Sequence, residues 1–427
     1  FAPSSETVKD GVIHTAIGVV DYQRQGNRVI EQPNPLGPAI PIGACRRCQA
    51  IDASVNPAPV CPACGIGAPE YTVVNLSQPR GFTTWSGSGR DFDGLFEWTP
   101  RASRPKMGVN PIAMLPVDNF EVASGEDTVY VINDNEGRLF NFEKLAQGDR
   151  WVTRDALAKV GANPALSPGG IDARALASEK RTDVMVLGIL SWPLGISAAP
   201  FPRVEGRASL YSLGFMLRRA AAIRLDIHER ELKVGLRVLP DGAGRTKGQI
   251  FISDSLENGA GYSSHLGTAA EASNLLRFII GQPTGEFLDP LVANAHADIC
   301  RTSCPDCLRD FSNLTYHTIL DWRLGLDLAR LALDPNAPVD FSPTYWQGLD
   351  AAVAAPYFAA SGRQQVQFGV VQGGQRGGTI ELITHPLWQT SDLNALAPTL
   401  AAAYAQAIAA GHQVQFRSIF EVLRRPF

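Results

Sequence analysis

CRRCQAIDASVNPAPVCPAC, residues 45–64, and LVANAHADICRTSCPDCLRDF, residues 291–311, between them hold all seven cysteines of the chain. The first stretch places Cys45 and Cys48, then Cys61 and Cys64, in two C-x2-C pairs. Each pair can present two thiolates from one tight turn to a single ion, which is the spacing of a zinc ribbon. Four thiolates around one tetrahedral ion leave no position for water, so the reading is a structural site rather than a catalytic one. The competing reading, two disulfides, requires an oxidising compartment, and nothing at the N-terminus reads as a secretory signal.

The second stretch offers only three thiolates, Cys300, Cys304 and Cys307, so a fourth ligand has to come from elsewhere. His296 lies four residues before Cys300, and on a helix the two side chains share one face. His317 follows Cys307 by ten residues and is the other candidate. Asp298 is a third choice, since carboxylates are less common in closed structural sites. An open three-ligand catalytic zinc is the alternative, but no nearby glutamate stands in a recognisable zinc-enzyme motif.

The composition is that of a folded globular chain: 427 residues, 45% apolar and 19% charged, enough for two to four domains. Net charge is only −4, so no global basic field points to nucleic acid. Locally, Arg203 to Lys247 carries ten Lys or Arg against five Asp or Glu, an excess read either as a solvated helix face or as a contact surface. Arg218, Arg219 and Arg224 are the candidate DNA- or partner-binding residues of that segment. The chain opens on Phe1 rather than methionine and is read as a candidate fragment.

Four regions follow along the chain. Residues 1–80 join a proline-rich run, EQPNPLGPAIPIG, to the ribbon, and are expected to owe their fold to metal. Residues 81–204 read as β-rich, with TVYVI and RLFNF forming a hairpin across NDNEG and VMVLGIL a buried strand. Residues 205–335 are mainly helical around the second cysteine cluster; ASLYSLGFMLRRAAAIRLDI sets Leu210, Leu213 and Leu217 at helical spacing. Within it, LENGAGY packs Gly259 and Gly261 around one alanine, and phosphate cradling is one reading of that loop. Residues 345–427 give the order strand, strand, helix, strand, a small α/β unit. Glu381 and His385 bracket one of its strands, but the acid pair and lysine of a metal-dependent nuclease have no counterpart, so His385 reads as a packed or capping residue. The fold class is therefore mixed α+β and multi-domain.

No P-loop, acidic helicase box, Gly-x-Ser-x-Gly elbow, HExxH or dinucleotide fingerprint is present, so no catalytic residue is assigned. ISDSLENGAGYSSHLG (252–267) followed by CRTSCPDCLRDFSNLTYHTILDWRLGLDL (300–328) resembles the DUF1998 cysteine domain, which accompanies superfamily 2 helicases. KRTDVMVLGI, YSLGFMLRRAAA, THPLW and FEVLRRPF extend the resemblance over roughly residues 180–427. It is similar above all to the stand-alone members of the bacterial anti-phage DISARM system. The resemblance implies that Cys300, Cys304 and Cys307 bind zinc, with a non-cysteine residue where other members have a fourth, upstream cysteine. It also implies a helicase partner, the DISARM subunit DrmA, as a heterodimer, and a role in handling foreign DNA.

These readings combine into a non-catalytic chain with two zinc ions that docks on a helicase and assists its engagement of DNA. Reduced cysteines and the lack of a targeting or membrane segment lead to a cytoplasmic expectation. Two rivals stand beside it: a zinc-dependent hydrolase or nuclease using the second cluster, and a scaffold that never touches DNA.

Overall fold

The computed structural model describes residues 2–94, 104–199, 203–242 and 245–425. They divide into two compact units, Phe1–Asn110 with Thr128–Lys180, and Pro111–Asp127 with Arg181–Phe427. The first two sequence regions fall largely in the first unit and the last two in the second. Pro426 and Phe427, which end the FEVLRRPF stretch, lie outside the described residues.

The first unit is a run of mostly antiparallel strands. β1 (Val12–Val19), β2 (Ile40–Cys45), β3 (Ile51–Asp52) and β4 (Tyr71–Ser77) precede the long β5 (Phe120–Asn133), which belongs to this unit from Thr128 on, β6 (Phe140–Lys144), β7 (Trp151–Thr153) and β8 (Asp172–Ile189), which belongs to it as far as Lys180. β1 pairs with β7, β7 with β6, and β6 with Asp172–Arg174 at the start of β8. Ala175 and Leu176 of β8 then run parallel to β4, which pairs with β2, which pairs with β3. The ribbon's strands thus belong to a larger sheet, with Ile42, Ile51, Leu76 and Ala175 buried together. The expected hairpin between TVYVI and RLFNF is corrected. NDNEG does turn the chain, with Asn135, Glu136 and Gly137 at positive φ. A strand has only two hydrogen-bonding edges, however, and those of β6 are taken by β7 and β8.

In the second unit the central helix is α1 (Val204–Leu225), lying on the hairpin of β9 (Leu232–Pro240) and β10 (Thr246–Asp254). β10 is extended on its other edge by Val184–Leu187 of β8, in the VMVLGIL stretch, where Val184, Met185, Val186 and Leu187 are buried. α2 (Ala269–Ile279) and α3 (Trp322–Leu333) cover the remaining faces of α1. Close approach explains two glycines. A Cβ on Gly214 would meet Val234 of β9 at 2.6 Å, and one on Gly325 of α3 would meet Met216 of α1 at 2.7 Å. α1 is consequently buried along most of its length, Glu205, Ser209, Ser212 and Arg218 included, as a helix enclosed by other elements is.

The C-terminal part adds α4 (Leu349–Ala360), β11 (Gln364–Phe368), β12 (Val371–Arg376), β13 (Thr379–Thr384), α5 (Pro398–Ala409) and β14 (Gln413–Ser418). The sheet order is β11-β12-β13-β14, with the last pair parallel across the α5 crossover. One strand more is present than the sequence suggests. VQFGVV breaks at Gly369, φ +60°, and the Gly- and Gln-rich connector itself forms β12, where a Cβ on Gly374 would collide with Phe358 of α4.

Asp321 caps α3 from a fully buried position, 1% exposed, with Arg424 3.6 Å away. Burial raises its carboxyl from 3.8 to about 6 despite Arg424 and Arg323 nearby. The folded chain therefore holds this proton in a window where the unfolded chain has released it. The stabilising contribution is full below pH 3.8 and is lost as the pH rises through about 6. Asp321→Asn, neutral throughout, is expected to gain about 3 kcal/mol relative to the parent between acid and neutral pH, about 1.4 kcal/mol per pK unit. Urea denaturation of both proteins across that range reads the difference, and a flat difference would refute the assignment.

Candidate metal centres

The first centre is built by two knuckles. Cys45 ends β2, and the backbone N–H of Cys48 donates to its sulfur at 3.4 Å. The chain turns back at Gln49, φ +70°, whose N–H bonds the Cys45 carbonyl. The second knuckle repeats the device: Gly65, φ +72°, donates to the carbonyl of Cys61. The four sulfurs lie within 4.8 Å of one another, with Cys45–Cys64 at 3.7 Å and Cys48–Cys61 at 3.6 Å. A disulfide needs about 2.05 Å, so that reading is set aside. A tetrahedral zinc with Zn–S bonds of about 2.3 Å separates its sulfurs by about 3.8 Å, which these spacings fit.

In the second centre, His296, Cys300, Cys304 and Cys307 come within 4.8 Å of one another. Cys300–Cys307 is 3.8 Å, Cys304–Cys307 is 3.7 Å, and His296 Nε2 stands 3.4 Å from Cys304 Sγ. The other ring nitrogen, Nδ1, is 2.8 Å from the carbonyl of Leu291. Donation there puts the proton on Nδ1 and leaves the Nε2 lone pair facing the sulfurs, the usual outer support of a metal-bound histidine. His317 is elsewhere, its Nε2 against Asn313 Oδ1 at 2.8 Å and the Asp310 carbonyl. Asp298 is likewise outside the cluster. With His296 as fourth donor, a tetrahedral ion has no open position here.

Electrostatics within the clusters also fit a cation. Hydrogen bonding by Cys48 pulls the Cys45 thiol down to about 2, while the same contact holds Cys48 up, and Cys45 keeps Cys61 up at about 11. In the second centre the bond from Cys300 lowers Cys307 to about 5 and raises Cys300, and burial raises Cys304. Cys45 and Cys307 form thiolates easily, while Cys48, Cys61, Cys300 and Cys304 hold their protons until a positive ion offsets their charge. Two zinc ions are the fitting complement: soft donors, closed tetrahedra and no oxygen ligand.

The residues around the second centre are fixed by buried arginines. Arg323, 3% exposed, donates to the carbonyls of Tyr345, Cys300, Arg301 and Ala297, with its guanidinium 4.2 Å from the Trp322 ring centroid. Nothing in the sequence singled it out, because its role consists of backbone acceptors brought from several segments.

Of the three arginines read as a contact surface, the structure takes Arg218 out of reach and leaves Arg224 exposed. Arg218 is 2% exposed, paired with Glu229 at 2.8 Å and with Asp310, and stacked 4.8 Å over Phe215. Arg219 donates to the carbonyl of Cys307, tying α1 to the metal loop, and Arg224 pairs with Glu271 at 3.1 Å. Enclosure of α1 turns Arg218 into an internal staple, Arg219 is partly buried against the metal loop, and Arg224 stays exposed with its pair to Glu271 at the surface. The LENGAGY loop is corrected too. Buried Asp254 accepts from the amides of Ala260, Tyr262 and Ser263, and Asp183 from that of Gly261. The amides that could cradle a phosphate already hold two carboxylates. Glu381 is buried between Arg363, Arg417 and Tyr357, and His385 faces Asp327 at 3.1 Å, so both are packed core polar groups.

Residues 213–308 match the family model described as MZB, the MrfA Zn-binding domain. That span contains all four ligands of the second centre. Among solved structures, the crystal structure of the DUF1998 helicase MrfA bound to DNA aligns at 13% identity and a TM-score of 0.31, over 54% of this chain and 24% of that one. The chain therefore spans about a quarter of that helicase's length. No curated protein matches the chain. None of the described helices is long and apolar enough to cross a membrane. The segment that carries the second centre is similar to a zinc-binding domain of a helicase, and the chain as a whole carries two closed zinc tetrads.

Proposed function

We propose that the chain is a non-catalytic, zinc-stabilised subunit that binds a superfamily 2 helicase and assists its engagement of DNA. Its setting is a bacterial anti-phage DISARM complex, in which it corresponds to DrmB and its partner is DrmA, in a heterodimer. The observation that carries the reading is the match of residues 213–308 to the MrfA Zn-binding domain. The closed four-ligand geometry of both centres supports it, since a structural zinc rigidifies loops without offering a reactive water. The hydrolase reading loses its open coordination site once His296 takes the fourth place.

Size-exclusion chromatography with light scattering tests it, using the chain and the helicase with and without DNA carrying a single-stranded overhang. The expected result is one complex of defined mass that retains DNA more tightly than either protein. Two separate peaks would overturn the partner reading. A complex whose DNA affinity equals that of the helicase alone would leave a scaffold without DNA contact.

A further inference from the structure

Two adjoining cavities of the second unit, of about 530 Å³ and 270 Å³, share Arg301 and Val353 in their walls and so form one groove beside the second metal centre. The smaller is lined by three arginines, Arg301, Arg424 and Arg425, and four apolar residues, with no acid among them. The larger adds Arg323 and has one carboxylate, Asp298.

The arginines differ in what they already hold. Arg323 and Arg424 are spent internally: Arg424 donates to the carbonyls of Thr318, Phe420 and Leu320 and faces Asp321. Arg301 and Arg425 are exposed, and neither guanidinium has a hydrogen bond or ion pair among the described residues. Arg301 nevertheless sits on a rigid mount. Its neighbour Cys300 belongs to the metal cluster, and its own carbonyl accepts from Arg323 at 3.0 Å. With the backbone held this way, only the side chain's own freedom is left to lose when Arg301 takes up an anion.

The smaller cavity falls short of a ligand pocket of roughly 300–1,000 Å³, but it continues into the larger one. Its occupant therefore runs along the groove. Apolar walls with unspent guanidiniums at the rim match a chain that alternates sugar faces with phosphates, and arginine binds phosphate through its planar fork.

We propose that this groove receives the backbone of a single DNA strand, with Arg301 and Arg425 each on a phosphate. The inference rests on the reading that the chain engages DNA, and it moves that contact from α1 to the groove.

The test is fluorescence anisotropy of the full chain with a labelled oligothymidylate over a range of KCl concentrations. Both residues are exposed, so Arg301→Gln/Arg425→Gln should fold, as zinc content and circular dichroism will show. The double variant is expected to bind at least about tenfold more weakly at low salt. Its log K against log [salt] slope should flatten by about 1.4, or 0.7 per lost single-strand phosphate contact. Arg376→Gln, an exposed arginine away from the groove, should leave both unchanged. If the parent binds DNA and the double variant matches it, the groove is overturned while DNA engagement stands. Equal loss in Arg376→Gln, or lost binding of a polyglutamate peptide with DNA binding intact, would also overturn it. A parent chain that binds no DNA alone or with the helicase removes both readings.

Discussion

Cys307→Ser is expected to cost the chain one of its two zinc ions and, with it, the cooperative unfolding of the second unit. Cys307 is 1% exposed and lies with Cys300 in the main core, among Leu308, Tyr316 and Trp322. Its sulfur accepts from the Cys304 amide, and its carbonyl holds Arg219 of α1. Structural zinc contributes about 10–16 kcal/mol to small domains, against a typical domain stability of about 5–15 kcal/mol. Losing even part of the first figure consumes most of the second. Zinc content by elemental analysis should fall from two to one, and the melting transition should lose amplitude. His296→Ala should act in the same direction and His296→Cys should restore the metal. His317→Ala should keep both ions, since that ring bonds Asn313 and the Asp310 carbonyl and lies outside the cluster. Two ions and an unchanged transition in Cys307→Ser would show that the second cluster is not a structural metal site.

Arg323→Ala should destabilise the second unit by about 3–5 kcal/mol, the cost of dismantling a buried charged network and stranding its acceptors. The carbonyls of Ala297, Arg301 and Tyr345 lose the arginine donor, that of Cys300 keeps only Trp322 Nε1, and the Trp322 ring loses its stacked cation. Arg323→Lys should recover only a minor part, because an ammonium has neither the planar fork nor the reach to several carbonyls. The urea midpoint measures both. A loss below about 1 kcal/mol for the alanine variant would mean that the metal alone holds the loop.

The sequence by itself determined what depends on short spacing. C-x2-C pairs make knuckles because four residues suffice to turn two sulfurs to one point, and both clusters were legible for that reason. α5 begins at Pro398 as its early proline suggests, and VMVLGIL became a buried strand because its apolar run has only one comfortable environment. Tertiary structure alone decided between His296 and His317, because ring orientation came from the Leu291 carbonyl rather than from distance along the chain. It also decided that Arg218 is a staple, since whether a helix face meets water depends on what packs against it, here α2, α3 and the metal loop. The LENGAGY amides went to Asp254 and Asp183, and β6 went to β7 and β8, by the same reasoning. Local chemistry sets which groups a segment can offer, and long-range packing chooses which partner takes them.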